Sequence, residues 1–245
     1  MSTHSAVARP THSIWTMLTV YPVIAPLAVL VSRWSFVTPN RITGLAGLLA
    51  LGSATCFVTG QLRWAGLLFI LRYMVDCLDG QVARVQRRGS TFGAAFDITV
   101  DTVGISAIVA SLTWYLVSAG QLSLAEALAF LAALVVYNWA LAYRKGLAAK
   151  AGVSEGGGAG GVLPVDIPGL RGWTEFCARI GMYALPWAVE AEILALGLGP
   201  LLLPERWVPY GVHIAFAFYL LANVVNLRRI FRIARAIDSG SSNDQ

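Results

Sequence analysis

The chain has 245 residues, of which 57% are hydrophobic and only 13% charged, and its mean hydropathy is +0.66. An ordinary soluble domain carries about a quarter charged residues, so this composition excludes a water-soluble globular protein and leaves one whose surface faces lipid. The net charge is +5, and its placement along the chain is more informative than its sum.

Residues Met1–His12 are polar and lack the small-residue cleavage pattern of a signal peptide, so residues 1–13 read as a short cytosolic tail. Residues 14–36 are apolar but interrupted by Pro22 and Pro26, with Trp15 and Trp34 as anchors. They read as an amphipathic helix lying in the membrane interface, with a further span as the alternative. Long apolar runs then give six spans of about 20 residues or more, at 40–59, 62–86, 92–118, 122–143, 174–200 and 208–228. The loop 146–170 holds GGGAGG at 156–161 and two prolines, and reads as a flexible cytosolic connector. Residues 236–245, ending in SGSSNDQ, are expected to be a disordered tail. The expected fold is therefore an all-α integral membrane protein. Six transmembrane helices are preceded by an N-terminal amphipathic interfacial helix, all within one membrane domain over 14–235.

Orientation follows from the cations. With six spans and the N-terminus inside, the cytosolic ends hold 15 of the 18 basic residues. The outer loops keep Arg63 and Arg206, and Arg72 falls within a span. Such a bias places both termini in the cytosol. The expected location is the cell membrane, with no nucleic-acid partner. Cys56, Cys77 and Cys177 lie apart in apolar segments and read as small buried hydrophobes, and the three histidines are scattered.

The informative stretch begins in the second span with Asp76, Asp79, Gly80, Ala83 and Arg84 and continues in the third with Gly93, Asp97 and Asp101. A charged side chain at the centre of a membrane helix costs about 2.5–3.5 kcal/mol, so four carboxylates need a compensating reason. At about 100° per residue, Asp76, Asp79, Gly80 and Ala83 share one helix face. Ser90, Gly93, Asp97 and Asp101 share another. The short link makes the two spans antiparallel neighbours whose acidic faces can meet. Gly80, Ala83 and Gly93 leave room there for a ligand against bare backbone. Four converging carboxylates repel one another, and two divalent cations resolve this. Oxygen-only ligands favour Mg²⁺ or Mn²⁺ over zinc, in the paired arrangement used for displacement at phosphorus. A proton or cation pathway and a purely structural role remain as alternatives at this point.

The spacing D-x2-D-G-x2-A-R-x8-G-x3-D-x3-D is met at all eight fixed positions from Asp76 to Asp101. It resembles the signature of the CDP-alcohol phosphotransferase family, and Thr38–Thr43 resembles the family's start of the first span. The resemblance extends over about 14–235, with specific motifs only in 38–101. It implies transfer of a phospho-alcohol group, a phosphatidyl group above all, from a CDP-linked donor such as CDP-diacylglycerol to an alcohol or phospho-alcohol acceptor. CMP is released, in phospholipid biosynthesis. By the same resemblance Asp76, Asp79, Asp97 and Asp101 hold two metal ions, and Asp101 is also the general base. Asn40, Thr43, Gly80, Arg84 and Ser90 hold the CDP moiety; Ser90 stands where many members have Thr. The site faces the cytosol at the membrane edge, and the resemblance also allows a homodimer. A small non-lipid CDP-alcohol donor stays open. So do an intramembrane prenyltransferase, whose N-D-x2-D-x3-D pattern is missing, and a transporter, which would not need Gly80, Ala83 and Arg84 at fixed offsets.

For the acceptor, Arg144, Lys145, Lys150, Arg171 and Arg179 read either as a basic pocket for a phosphorylated alcohol or as positive-inside topology alone. Tyr137, Asn138, Asn223 and Asn226 read as acceptor contacts or as helix–helix hydrogen bonds. Arg72, one turn before Asp76, is expected to form a structural ion pair with Asp76 or another site carboxylate, or with Glu190 or Glu192.

Overall fold

In a computed structural model the chain is described over residues 13–151, 171–180, 182 and 188–241. The expected tail 1–12, most of the 146–170 connector and residues 242–245 lie outside the described residues. Every regular element among those described is helical. A π-helical turn, Thr16–Val20, leads into α1 (Tyr21–Val31); α2 (Pro39–Val58), α3 (Leu62–Gln86), α4 (Thr91–Ser118) and α5 (Leu124–Lys150) follow. After α6 (Arg171–Ile180) come α7 (Ala188–Glu192), a π-helical stretch (Ile193–Leu198), α8 (Gly199–Leu202), a 3₁₀ turn (Glu205–Trp207) and α9 (Val208–Ser241).

Local chemistry sets these boundaries. Pro39 opens α2 after the extended Thr38, since its missing N–H would be unpaired there anyway. Gly60 (φ 73°) and Gly120 (φ 69°) turn the chain beyond α2 and α4, a conformation glycine adopts without steric cost. Ser123 and Glu126 close a reciprocal capping box on α5. The two π-helical stretches each end two residues before a proline, Pro22 and Pro200. A proline ring collides with the carbonyl four residues back in a regular helix, and the wider turn relieves that collision.

Among the described residues, four helical segments are long and apolar enough to cross a membrane: Pro39–Val58, Thr91–Ser118, Leu124–Lys150 and Glu205–Ser239. The chain is an integral membrane protein on these segments and on their many lipid-type surface residues, among them Leu48, Trp114, Val135 and Trp139. α3 is 25 residues long but falls short in apolarity, because Arg63, Arg72, Asp76, Asp79 and Arg84 lie along it. The run expected as one span over 174–200 is found in two described pieces, α6 and the segment from Ala188 to Leu202, with residues 183–187 outside the description. α5 and α9 outlast the spans expected at 122–143 and 208–228. Residues 236–241, expected to be disordered, continue α9. Arg228, Arg229, Arg232 and Arg235 populate this C-terminal half of α9. The π-turn and α1 bury Val20, Ile24 and Ala28 against Leu78 and Val82 of α3. They leave Leu18, Val23, Leu27, Val29 and Leu30 exposed, so this segment is apolar all round where an amphipathic one was expected.

Packing places α2 against both α3 and α4, α1 against α3, and α5 against α9. The main core gathers Phe57, Phe69, Ile108, Leu112, Leu116, Phe130, Leu134 and Tyr219. Small residues draw α2 close to α4. A methyl group added at Gly47 would meet Val100 Cγ1 at 3.1 Å, and one at Gly104 would meet Ala50 Cβ at 3.0 Å. α3 approaches the second π-helical stretch just as closely, through Gly66 and Gly197. α3 and α4 bring their acidic faces together as expected, through side chains and without the close backbone contact that α2 makes with each. Backbones that close would leave no room for converging carboxylates and a ligand.

Candidate active site

The acidic residues come from the parts of α3 and α4 nearest the turn that joins them. That turn is tight. The backbone N–H of Arg88 donates to the carbonyl of Ala83 at 3.0 Å, and Arg87 adopts φ 52°. This is the left-handed close that usually takes glycine, and here an arginine takes it at a cost of about 1–2 kcal/mol. Ser90 then caps α4, its Oγ accepting from the N–H of Gly93 at 2.9 Å.

Asp76, Asp97 and Asp101 each present a carboxylate oxygen, and the three oxygens lie within 4.8 Å of one another. Asp97 Oδ1 is buried and without a hydrogen-bond partner among the described residues. A buried oxygen of this kind is costly unless something else satisfies it. Hard oxygen donors in this number and spacing, one of them orphaned, fit a divalent cation such as Mg²⁺ or Mn²⁺. Asp79 stands outside this trio. It is buried, and its Oδ2 accepts from the Thr43 hydroxyl of α2 at 2.6 Å. The four-carboxylate cluster expected from helix periodicity is thus three acids plus a fourth turned towards α2, because a nearby hydroxyl offers it a hydrogen bond.

Arg72 reaches from α3 to α4, where its Nη2 donates to Asp101 Oδ1 at 2.6 Å. Of the partners the sequence left open for Arg72, the structure selects Asp101. Glu192 is engaged elsewhere, accepting from the Tyr219 hydroxyl at 2.5 Å, and Glu190 Oε1 accepts from the backbone N–H of Trp15 at 3.2 Å.

Next to the acids opens a cavity of about 490 Å³, within the range of small-molecule sites. The start of α2 lines it with Pro39, Asn40 and Thr43, and the end of α3 with Asp79, Gly80, Ala83 and Arg84. Arg87, Arg88 and Gly89 of the turn and Ser90, Gly93, Ala94 and Asp97 of α4 complete it. All five residues expected at a CDP moiety, Asn40, Thr43, Gly80, Arg84 and Ser90, therefore face one space, shared with Asp79 and Asp97. Gly93 is needed for that space: a methyl group there would sit 3.0 Å from both Asn40 Oδ1 and Ser90 Oγ. Sequence reasoning missed Arg87 and Arg88 as lining residues, reading them only as inner-side charge. The signal lay in their position directly after the D-G-x2-A-R segment, in the turn that brings α4 back.

The residues considered for an acceptor do not all meet. Arg144 is 1% exposed, and its Nη1 donates to Asn226 Oδ1 at 2.7 Å. Asn223 donates to the carbonyl of Ala133 at 2.9 Å, and the Tyr137 and Tyr219 rings meet at 5.2 Å. Lys145, Lys150 and Arg179 are exposed, and the side chain of Arg171 lies outside the described residues. The three cysteines form no disulfide.

Residues 36–199 match the family model described as CDP-alcohol phosphatidyltransferase. The chain is 33% identical over 181 residues to a phosphatidylinositol phosphate synthase of Corynebacterium glutamicum, covering 72% of this chain and 78% of that one. Its fold is similar to that of Mycobacterium tuberculosis phosphatidylinositol phosphate synthase crystallised with CDP-DAG bound. The TM-score is 0.54 at 18% identity, over 86% of this chain and 94% of that one. The same enzyme in complex with manganese and citrate gives a TM-score of 0.55 at 19% identity, over 85% and 89%.

Proposed function

The chain belongs to the CDP-alcohol phosphatidyltransferase family, and from that membership we propose that the cavity and the acidic trio are two halves of one active site. The enzyme is a metal-dependent transferase of phospholipid biosynthesis. It moves a phosphatidyl group from a CDP-alcohol donor to an acceptor hydroxyl and releases CMP. The observation that carries this reading is the convergence of Asp76, Asp97 and Asp101 beside a cavity lined by Asn40, Thr43, Gly80, Arg84 and Ser90.

Asp76, Asp97 and Asp101 would hold Mg²⁺ or Mn²⁺, with Asp79 contributing from the cavity wall towards a second ion. When bound, the ions offset the charge of a diphosphate and make its phosphorus more electrophilic. The protein's own groups do the rest. Arg84, Arg87 and Arg88 supply cationic charge to the nucleotide and its phosphates. Gly80, Ala83 and Gly93 leave backbone bare, so the donor can lie close to α3 and α4. Asp101 accepts the proton of the acceptor hydroxyl as that oxygen attacks the β-phosphorus. The bond from the β-phosphorus to the bridging oxygen breaks, and CMP departs with the electron pair.

The donor is CDP-diacylglycerol, whose diacyl tails stay in the bilayer while the nucleotide occupies the cavity. The acceptor is a phosphorylated polyol of the inositol phosphate type, in keeping with the names of the relatives. Six membrane crossings carry the site: the four apolar segments, α3, and the run from α6 to α8. The π-turn with α1 lies at the interface, its exposed apolar side towards lipid. Both termini and the cavity face the cytosol, in the cell membrane, and residues 14–235 form the single catalytic domain.

The test is an assay of the detergent-purified protein with radiolabelled CDP-diacylglycerol, inositol phosphate and Mn²⁺, reading CMP and lipid product. Product that forms with metal and disappears with chelator is the expected result. CMP release only from a short, water-soluble CDP-alcohol would replace the lipid donor. No release from any CDP-alcohol at all would overturn the assignment.

A further inference from the structure

Arg72 precedes the acidic motif by four residues and has no place in it, yet it touches that motif's last acid. Its side chain is 95% buried, lying at 5% exposure inside an otherwise apolar part of α3. A cation so placed is expensive unless a specific partner holds it. Its Nη2 meets Asp101 Oδ1 at 2.6 Å, while its Nε is buried with no partner among the described residues. The guanidinium is therefore committed to Asp101 and incompletely satisfied otherwise. Gly104 on α4 lies beside it: a methyl group there would sit at ordinary contact distance, 3.7 Å, from Arg72 Nε. Arg72 lies one turn before Asp76 and is not among the described residues that line the nucleotide cavity.

We propose that Arg72 is a positioning residue and resident countercharge. It holds one oxygen of Asp101 so that the other faces the acidic trio, and it offsets part of the charge of that trio before any metal or substrate arrives. This rests on the metal-dependent reading of the acids given above. Two consequences can be separated. As a charge, Arg72 repels an incoming cation, so it weakens metal binding while lowering the repulsion among the carboxylates. As a planar fork, it fixes the Asp101 carboxylate in one orientation, which a rotatable ammonium does not do. The first affects metal affinity, and the second affects turnover.

The experiment is direct Mn²⁺ titration of metal-free, detergent-purified full-length protein without donor, following free Mn²⁺ by electron paramagnetic resonance. It is paired with kcat and donor KM at saturating metal. For Arg72→Met, Mn²⁺ should bind about threefold to tenfold tighter, while kcat falls about tenfold or more with donor KM little changed. Arg72→Lys should return Mn²⁺ affinity to the wild-type value, because the charge is kept, but leave kcat low, because the fork is lost. Should Arg72→Met fail to fold, the Lys variant alone decides: wild-type kcat there would overturn the positioning role. Unchanged or weaker Mn²⁺ binding by Arg72→Met would overturn the countercharge role. A wild-type protein that binds no Mn²⁺ would overturn the metal-site reading itself, a result distinct from either.

Discussion

Thr43 on α2 donates its hydroxyl to Oδ2 of Asp79 on α3 at 2.6 Å, and both residues line the cavity. The same hydroxyl also lies 3.1 Å from the carbonyl of Pro39, one turn back. This bond couples the first residues of α2 to the acidic motif and sets Asp79 apart from the trio. It also gives Thr43 a role the sequence did not assign, since its hydroxyl holds a carboxylate of the neighbouring helix.

Replacing Thr43 by Val keeps the shape and removes the donor. A buried charged acceptor losing one hydrogen bond costs about 1–3 kcal/mol. Thr43→Val should therefore raise the donor KM by roughly tenfold, while Thr43→Ser, which keeps the hydroxyl, stays near wild type. Steady-state kinetics on the three proteins decide it, and equal KM values for Val and Ser would show that the hydroxyl is idle.

Asp101→Asn removes the proton acceptor but preserves size. Loss of a general base costs about a hundredfold to ten-thousandfold in rate, so turnover should fall by at least the lower figure. CDP-diacylglycerol binding, measured separately by quenching or titration, should persist because Asp101 does not line the cavity. Near-normal turnover would remove Asp101 from the mechanism.

Gly93→Ala places a methyl group 3.0 Å from Asn40 Oδ1 and from Ser90 Oγ. Both neighbours belong to the cavity wall, so one must shift and the space contracts. We expect a higher donor KM with an unchanged melting temperature; an unchanged KM would mean that the donor does not lie against this part of α4.

Gly66→Ala tests packing far from the cavity. Its added carbon would collide with the carbonyl oxygen of Gly197 and lie 3.0 Å from the backbone nitrogen of Leu201. Backbone atoms cannot rotate aside, so α3 must move from the π-helical stretch. Overpacking of this kind costs about 1–3 kcal/mol. A lower midpoint in detergent thermal unfolding is expected, with a normal donor KM in the fraction that remains folded.

Much of the site was legible because its residues obey helical periodicity within two adjacent elements. Asp76, Asp97 and Asp101 meet as their spacing requires, and Asn40, Thr43, Gly80, Arg84 and Ser90 face the same cavity. What periodicity could not supply was the third helix. α2 sits against both acidic helices and keeps them apart, and it recruits Asp79 through Thr43. Arg72 shows the same limit, since the sequence offers it several carboxylates, Asp76 nearest, and only the placement of α3 against α4 selects Asp101. The π-helical stretches were equally hidden: prolines mark where a helix is perturbed, but neighbouring packing decides whether it breaks, bends or widens.

Every residue lining the cavity falls between Pro39 and Asp97. Among the described residues the wall of this cavity is therefore one continuous stretch of chain, and neither α5 nor α9 lines it. A substitution in α5 or α9 can therefore reach this space only at second hand, by displacing the helices that wall it.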